Sequence, residues 1–357
     1  MELLTREIIL CIVVILISSS GICTAVDCGG PEFSSTIVVD KSNTSPNFTS
    51  IQAAIDSIPT SNSKWVKIQI NAGIYKEKVN IPVDKPCIFI KGQGADVTTI
   101  TYDDYSEITT SSTFSSFSNN LVASDITFQN SYGLKILENL RRHRKSYGIR
   151  TPSLAARISG DKCAFYKCKF IGFQDTLWDE LGRHYFKNCM IEGAVDFIFG
   201  DGQSYYKDCV LNVTSLGCIT AQARNVSSDP SGFVFEGGSV IGSGNEDSLL
   251  GRGYRHCSRV IFYKMNLSSV VRPVGWDAWN AKDDVTCLFY SEIECIGPGS
   301  STSQRVPWEK NLTETDFYKH FPFENSSIKM VGCHTYHKGS RDIYLLLCNL
   351  DTLSYEI

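Results

Sequence analysis

Methionine and histidine are both scarce in this 357-residue chain, at four and six residues. The histidines form no cluster with metal-ligand spacing, and no Cys-x-x-Cys pair occurs, which argues against a zinc site. No Gly-x-Ser-x-Gly elbow is present, so a serine nucleophile of that design finds no support. A basic excess is missing as well: the formal net charge is −4 and the pI is near 5.9. Phosphate neutralisation needs the opposite balance, which argues against a nucleic-acid partner. The one basic run, Arg141 to Lys145, reads as an exposed loop, with contact to a polyanion as the alternative. Beyond the N-terminus no stretch is long and apolar enough to span a bilayer. No Pro/Ser-rich linker divides the chain, so one domain is expected.

What is present is a repeat. Short strand-like runs of the form aromatic-x-x-Cys-x-apolar recur at Phe165–Phe170, Phe186–Ile191 and Tyr206–Leu211. Looser versions follow at Phe235–Val240, Phe262–Leu267 and Leu288–Ile293. Their last apolar positions step by 21, 20, 29, 27 and 26 residues. Steps of this size, with no helical pattern between the runs, predict an all-β solenoid in which each repeat is one turn. Of fourteen cysteines, Cys168, Cys189 and Cys209 hold equivalent places in consecutive repeats and read as a buried internal stack. Spacing does not reveal pairings among the others.

The first 25 residues differ from the rest. A charged start to Arg6, a ten-residue apolar run from Ile8 to Ile17 and small residues up to Ala25 predict a secretory signal peptide over 1–25. Seven Asn-x-Ser/Thr sequons, at Asn43, Asn47, Asn212, Asn225, Asn266, Asn311 and Asn325, fit a secreted, extracellular glycoprotein. The expected organisation is a signal peptide, a β-solenoid catalytic domain over 26–325 and a divergent tail over 326–357.

Asp175 and Asp196 stand 21 residues apart, one repeat length. In a stacked parallel sheet, that spacing puts both carboxylates at the same point on coils about 4.8 Å apart. Two carboxyls that close do not easily both ionise, so one pKa should rise while the other stays low. That split suits general acid/base plus nucleophile chemistry. Gln174, beside Asp175, carries an amide able to donate to an oxyanion. Arg252 can pair with a carboxylate through its fork and hold it ionised. Trp178, Tyr254, Trp276 and Trp279 offer flat surfaces for sugar rings, and Trp178, Tyr254 and Trp276 are taken as the substrate-binding set. For a lone aspartate a turn role would be the better reading. Two in register, one beside Gln174 and the other before Phe197-Ile198-Phe199-Gly200, reverse that preference. His184 and His256 read as surface or packing residues.

The segments Gly172-Phe173-Gln174-Asp175-Thr176-Leu177-Trp178 and Val195-Asp196-Phe197-Ile198-Phe199-Gly200 resemble signatures of the plant pectinesterases (pectin methylesterases). So do Gly251-Arg252-Gly253-Tyr254, Gly297-Pro298-Gly299 and Arg305-Val306-Pro307-Trp308. Upstream, Ile51 to Asp56, Ala72 to Val79 and Asp125 to Asn130 match in the same order, so the resemblance covers roughly residues 36 to 320. It implies a right-handed parallel β-helix. It implies hydrolysis of the C6 methyl ester of galacturonosyl units in cell-wall pectin, to pectate and methanol. Within that resemblance Asp196 is the nucleophile, Asp175 the acid and then the base, Gln174 an oxyanion donor and Arg252 the partner of Asp196. No metal or organic cofactor is implied, and the implied partner is pectin, met by a monomer.

Departures from the family pattern are informative. Pro152 stands where members usually carry a second oxyanion Gln, and it has no donor at all. The alternative is therefore a catalytically weakened pectin-binding wall protein. Tyr254 replaces a common Trp, and the cysteine pairs of some plant members lack clear partners here. The long inhibitor-like N-terminal region of many plant relatives is missing, which implies no propeptide regulation.

Overall fold

The computed structural model describes residues 28–320, apart from 31, 43–47, 106, 136–137, 139–150 and 244–246. The leader over 1–25, the sequons at Asn43, Asn47 and Asn325, the basic run Arg141–Lys145 and the tail over 326–357 lie outside the described residues.

Each coil of the chain runs through three faces. Ten strands, from Phe33–Val39 to Phe289–Ile293, stack in parallel as the first face. The other two faces are joined by the long strands Met190–Gly200 and Val210–Gln222, which run through the corner between them. The result is a right-handed parallel β-helix: the repeat lengths predicted the solenoid, and the family resemblance implied its hand. At its N-terminal end the helix Ile51–Asp56 buries Ile51, Ala54 and Ile55 against the coils. Ser50 caps it, and Glu77 accepts from the backbone N–H groups of Ile51 and Gln52, both at 3.0 Å. This helix covers the open end of the stack, which would otherwise expose apolar interior.

The local reason for the coil lies at the bend after the first face. Asp125, Lys167, Asn188, Asp208, Lys264 and Glu294 are all left-handed, with φ of 50–61°. One such residue breaks the alternation of the strand and turns the chain into the second face. The residue after it points inward: Ile126, Cys168, Cys189, Cys209 and Met265 are buried. The three cysteines thus stack inside the helix as expected, and each donates its thiol to a carbonyl of the preceding coil (Ala123, Phe165 and Phe186). Two coordinates before the bend stands the aromatic of each repeat. Phe165, Phe186, Tyr206, Phe235 and Phe262 form a ladder with successive ring centroids 5.0, 4.5, 4.5 and 4.8 Å apart. Burial of each ring contributes about 1.5–3 kcal/mol before chain entropy is subtracted.

The last repeat departs from the sequence reading. Leu288–Ile293 does not follow Phe262–Leu267 in step; Phe262 pairs with Glu292, so the interval is 30 residues. Glu292 fills the aromatic slot and Cys295 the inward slot. A buried carboxylate replaces a ring because Arg305 neutralises it through a two-pronged pair, both side chains being almost wholly buried. Arg305 also donates to the carbonyls of Arg272, Pro273 and Gly299, closing the C-terminal end of the helix. Two disulfides, Cys28–Cys87 and Cys257–Cys287, correct the expectation that the cysteine pairs lack partners. Spacing hides them: Cys257–Cys287 joins neighbouring coils through a long loop, and Cys28–Cys87 ties the segment before the first strand of the face to the start of its third strand, with Trp65–Ile70 between.

Candidate active site

Asp175 and Asp196 are in register. Gln174 bridges Val195, Leu177 pairs with Ile198, and the Asp175 N–H donates to the Val195 carbonyl at 3.0 Å. Both aspartates are left-handed, at φ 59° and 48°. For a non-glycine residue that conformation is sparsely populated, though short polar Asp tolerates it best. Around Asp196 the register also shifts twice, between Gly193 and Val195 and again before Ile198. A bulge of this kind re-aims a side chain out of the strand alternation. Both carboxyls end nearly buried at the corner between the second and third faces, 7% and 8% exposed.

Their surroundings separate them. Arg252 holds Asp196 through both prongs: Nε donates to Oδ1 at 2.8 Å and Nη2 to Oδ2. The guanidinium reaches back two coils to do so. Burial works against its charge, and the bonds to Asp196 more than restore it, raising its pKa. Among the described residues Asp175 has no such partner. Burial first, and then the charge of Asp196, push its carboxyl up to about 8, while the Gln174 amide and the Arg252 charge pull the other way. One carboxyl is thus poised to carry a proton at neutral pH, and the other is held against a fixed cation. Gly251 is required before Arg252 because a Cβ there would meet the Thr220 hydroxyl at 2.2 Å.

The aromatic residues are sorted by the pleat of the third face. Arg157, Trp178 and Phe199 lie in one outward row. Trp178 stacks on Phe199 at 5.5 Å, and the Arg157 guanidinium lies 4.3 Å from the Trp178 ring. Glu180 clamps Arg157 at 2.6 and 2.7 Å. Trp276 is a correction. It pairs with Gly251 and points inward, 1% exposed, stacked on Tyr290 at 4.7 Å, so it presents no face to a ligand. Trp279 takes the outward place instead. Its ring lies 3.8 Å under the Arg252 guanidinium and 5.7 Å from exposed Tyr254. The two tryptophans are three positions apart, and period-two alternation along the strand could not assign them, because the strand ends at Asp277 and a 3-10 turn follows.

Sequence reasoning passed over two further cleft residues. Cys218, partner of Val195 on the next coil, is a free thiol beside Asp196; burial, and then that charge, push it up to about 12. Ile108, between the strands Thr98–Tyr102 and Phe114–Ser116, packs against the cluster of Leu154, Phe199 and Ala221, as does Trp178. Neither carries a motif. Pro152 is half-buried one coil before Phe173, and its neighbour Ser153 donates a backbone N–H to Gln174 at 3.3 Å. The Ser153 hydroxyl is fully buried, and neither it nor Gln174 Oε1 has a hydrogen-bond partner among the described residues. His184 is a buried packing residue. Its Nδ1 meets Asp179 and its Nε2 the Gly160 carbonyl at 2.8 Å, while Tyr206 donates to Asp179 at 2.6 Å. Both ring nitrogens face acceptors, and against the effect of burial the Asp179 charge raises its pKa to about 10. Among the described residues no group of histidine, cysteine and carboxylate side chains is arranged to hold a metal.

Comparison with known proteins places this geometry. The family model of the pectinesterases matches residues 36–326. Probable pectinesterase 29 of Arabidopsis thaliana is 46% identical over 276 residues, which are 75% of this chain and 80% of that protein. Pectinesterase 31 of the same plant is 34% identical over 288 residues, 76% of this chain and 86% of its own length. Among solved structures, pectin methylesterase from carrot superposes with a TM-score of 0.71 at 28% identity, over 79% of this chain and 89% of that one. With its coils, its matched length and its relatives in agreement, the chain belongs to the pectinesterase family of carboxylic ester hydrolases.

Proposed function

We propose that the protein removes the methyl ester from C6 of galacturonosyl units in cell-wall pectin, using Asp196 as nucleophile and Asp175 as acid and base. The observation that carries this reading is the unequal environment of two carboxyls in register. Asp196, turned out by the bulge and fixed by Arg252, attacks the ester carbonyl carbon through one oxygen. The carbonyl electron pair moves to oxygen, where the Gln174 amide is the donor within this corner. Collapse breaks the bond to methoxide, which takes the proton held by Asp175 and leaves as methanol. Asp175, now anionic, accepts a proton from water as that water attacks the acyl group, and Asp196 is released. Trp178, Tyr254 and Trp279 supply flat faces for the sugar ring, in place of Trp276. The leader-like segment and the sequons support export to the plant cell wall, where the chain would act as a monomeric glycoprotein.

Methanol release from highly methylated pectin tests the reading, with Asp196→Asn beside the wild type. Wild-type release and its loss in a variant of unchanged circular dichroism are expected. Activity surviving in Asp196→Asn overturns the nucleophile assignment. A folded wild type that binds pectin and releases no methanol overturns the enzyme, and leaves the weakened binding protein that Pro152 suggests.

A further inference from the structure

The corner that carries Asp175 is one of a series. On the coils before Met190 the chain leaves the second face, passes through a connecting segment and enters the third face. The segment 172–176 does this on the Asp175 coil. On the coil before it the connection begins at Ser131, with a helical stretch over 131–135, and on the coil before that at Asp103. Those two connections carry a feature the ester chemistry does not use. Tyr105 and Tyr132 lie face to face, with ring centroids 3.8 Å apart and planes 6° from parallel. Tyr105 is 48% exposed.

Two tyrosines left to themselves favour offset or edge-to-face contact over a direct sandwich. The scaffold imposes this one. Asn130, fully buried, donates its side-chain amide to the carbonyls of Asp104, Ser111 and Leu154, at 2.9, 3.3 and 3.2 Å. Its Oδ1 accepts from the N–H of Tyr132 at 3.0 Å. One amide therefore ties the residue before Tyr105, the chain after it at Ser111 and the strand entry at Leu154 to the backbone of Tyr132. Ser131 adds a bond from its hydroxyl to the Tyr102 carbonyl at 3.2 Å. Asp103 and Asp104, just before Tyr105, pair with Lys135 and with Lys78. Burying a polar hub to hold two half-exposed rings adds little to a core. It does keep a flat aromatic surface in place before any ligand arrives.

The platform is continuous with the cleft. Ile108, three residues past Tyr105, packs on the cluster that holds Trp178 and Phe199. The carbonyl of Thr109 accepts from Arg157 Nη1 at 3.1 Å. Gly133, next to Tyr132, lies so close to Phe173 that a Cβ would stand 2.9 Å from its backbone nitrogen, one coil before Gln174 and Asp175. Coils advance about 4.8 Å along the helix axis, close to the length by which one pyranose unit advances a glycan chain. A polymer threaded past Asp175 along that axis meets Tyr132 about one unit away and Tyr105 about two.

Resting on the demethylation reading, we propose that Tyr105 and Tyr132 form a distal sugar subsite that stacks a galacturonosyl ring one to two units from the reacting ester, and so sets a preference for long substrates. Two methyl-esterified substrates, a long oligogalacturonide and the single-unit methyl galacturonate, test this with wild type, Tyr105→Ala, Tyr132→Ala and Tyr105→Trp. For the long oligomer the two alanine variants should raise KM about threefold to tenfold with kcat unchanged, the loss of one stacking contact. Methyl galacturonate, a single unit with no neighbour to reach the platform, should show no change in methanol release, and Tyr105→Trp should keep the wild-type KM on the long oligomer. An unchanged KM on the long oligomer overturns the subsite, and so does an equal loss on both lengths. If the wild type releases no methanol from either, the demethylation reading has failed. Calorimetric binding of the long oligomer then decides the subsite: weaker binding to the alanine variants supports it, and equal binding overturns it.

Discussion

Two arginine–carboxylate forks of the same chemistry sit in different parts of this molecule. Arg305 grips Glu292 in the C-terminal closure, and Arg252 grips Asp196 at the corner of the coils. Around Arg305 the remaining donors are used up on three carbonyls, and both side chains are almost fully buried. The Arg252 side chain is 24% exposed, and its flat face rests on Trp279 rather than on carbonyls. A fork whose every donor is used inside the protein holds parts together. A fork left partly open, beside a second carboxyl of raised pKa, keeps an oxygen available.

Breaking each fork should separate the two roles. Arg305→Met strands a buried carboxylate and should cost about 3–5 kcal/mol of stability, read by urea unfolding, with kcat of the folded fraction unchanged. Arg252→Met should lower kcat for methanol release on the order of 10²–10³-fold, the scale of one lost preorganised electrostatic contact, with a smaller shift in the unfolding midpoint. If Arg252→Met loses stability and keeps turnover, the contrast collapses.

A second test uses pH. Asp175 is raised to about 8 by burial and then by Asp196, so the folded state binds its proton more tightly than the unfolded chain does. The stability linked to this group is therefore highest below the ordinary carboxyl range and is lost as pH rises towards 8. His184, raised to about 10 by Asp179 against burial, adds a loss of the same sign above the ordinary histidine range. Asp175→Asn removes only the first. The variant should melt several degrees above wild type at pH 8, and the gap should close near pH 4. In wild type, kcat should fall as pH rises through about 8, when the proton needed by the leaving methoxide is gone. No gap at pH 8 would mean that Asp175 titrates normally.

The smallest effect expected separates the two tryptophans. Trp279→Ala should raise KM about twofold to fivefold, by removing one stacking face, and barely move stability. Trp276→Ala should leave KM unchanged and destabilise by about 3–5 kcal/mol, as a large core truncation does.

The coil and the paired aspartates were legible in the sequence because both are periodic. The slots for Phe165 through Phe262 recur with the bend, and Asp175 and Asp196 are one repeat apart. What escaped the reading lay where periodicity is broken or another coil supplies the partner. Glu292 occupies an aromatic slot only because Arg305 folds back onto it, which no local pattern announces. Trp276 and Trp279 differ in direction because the strand between them ends. The disulfides and the Asn130 hub join positions whose separations depend on loop length. A resemblance to known members located Pro152 as unusual; the buried Ser153 hydroxyl beside it appears only in three dimensions.

The cysteine stack has a consequence for how the protein ends its life. Cys163, Cys168, Cys189, Cys209 and Cys218 are buried free thiols in a molecule that also carries two disulfides. Burial pushes the thiols of Cys168 and Cys189 well up, so in the native state they are inert towards exchange. Unfolding returns them to ordinary acidity beside exchangeable disulfides, and thiolate attack can then shuffle the pairs faster than the coils re-form. The fold thus acts as its own redox shield, and its working lifetime is set by how rarely the stack opens rather than by how favourable closing is.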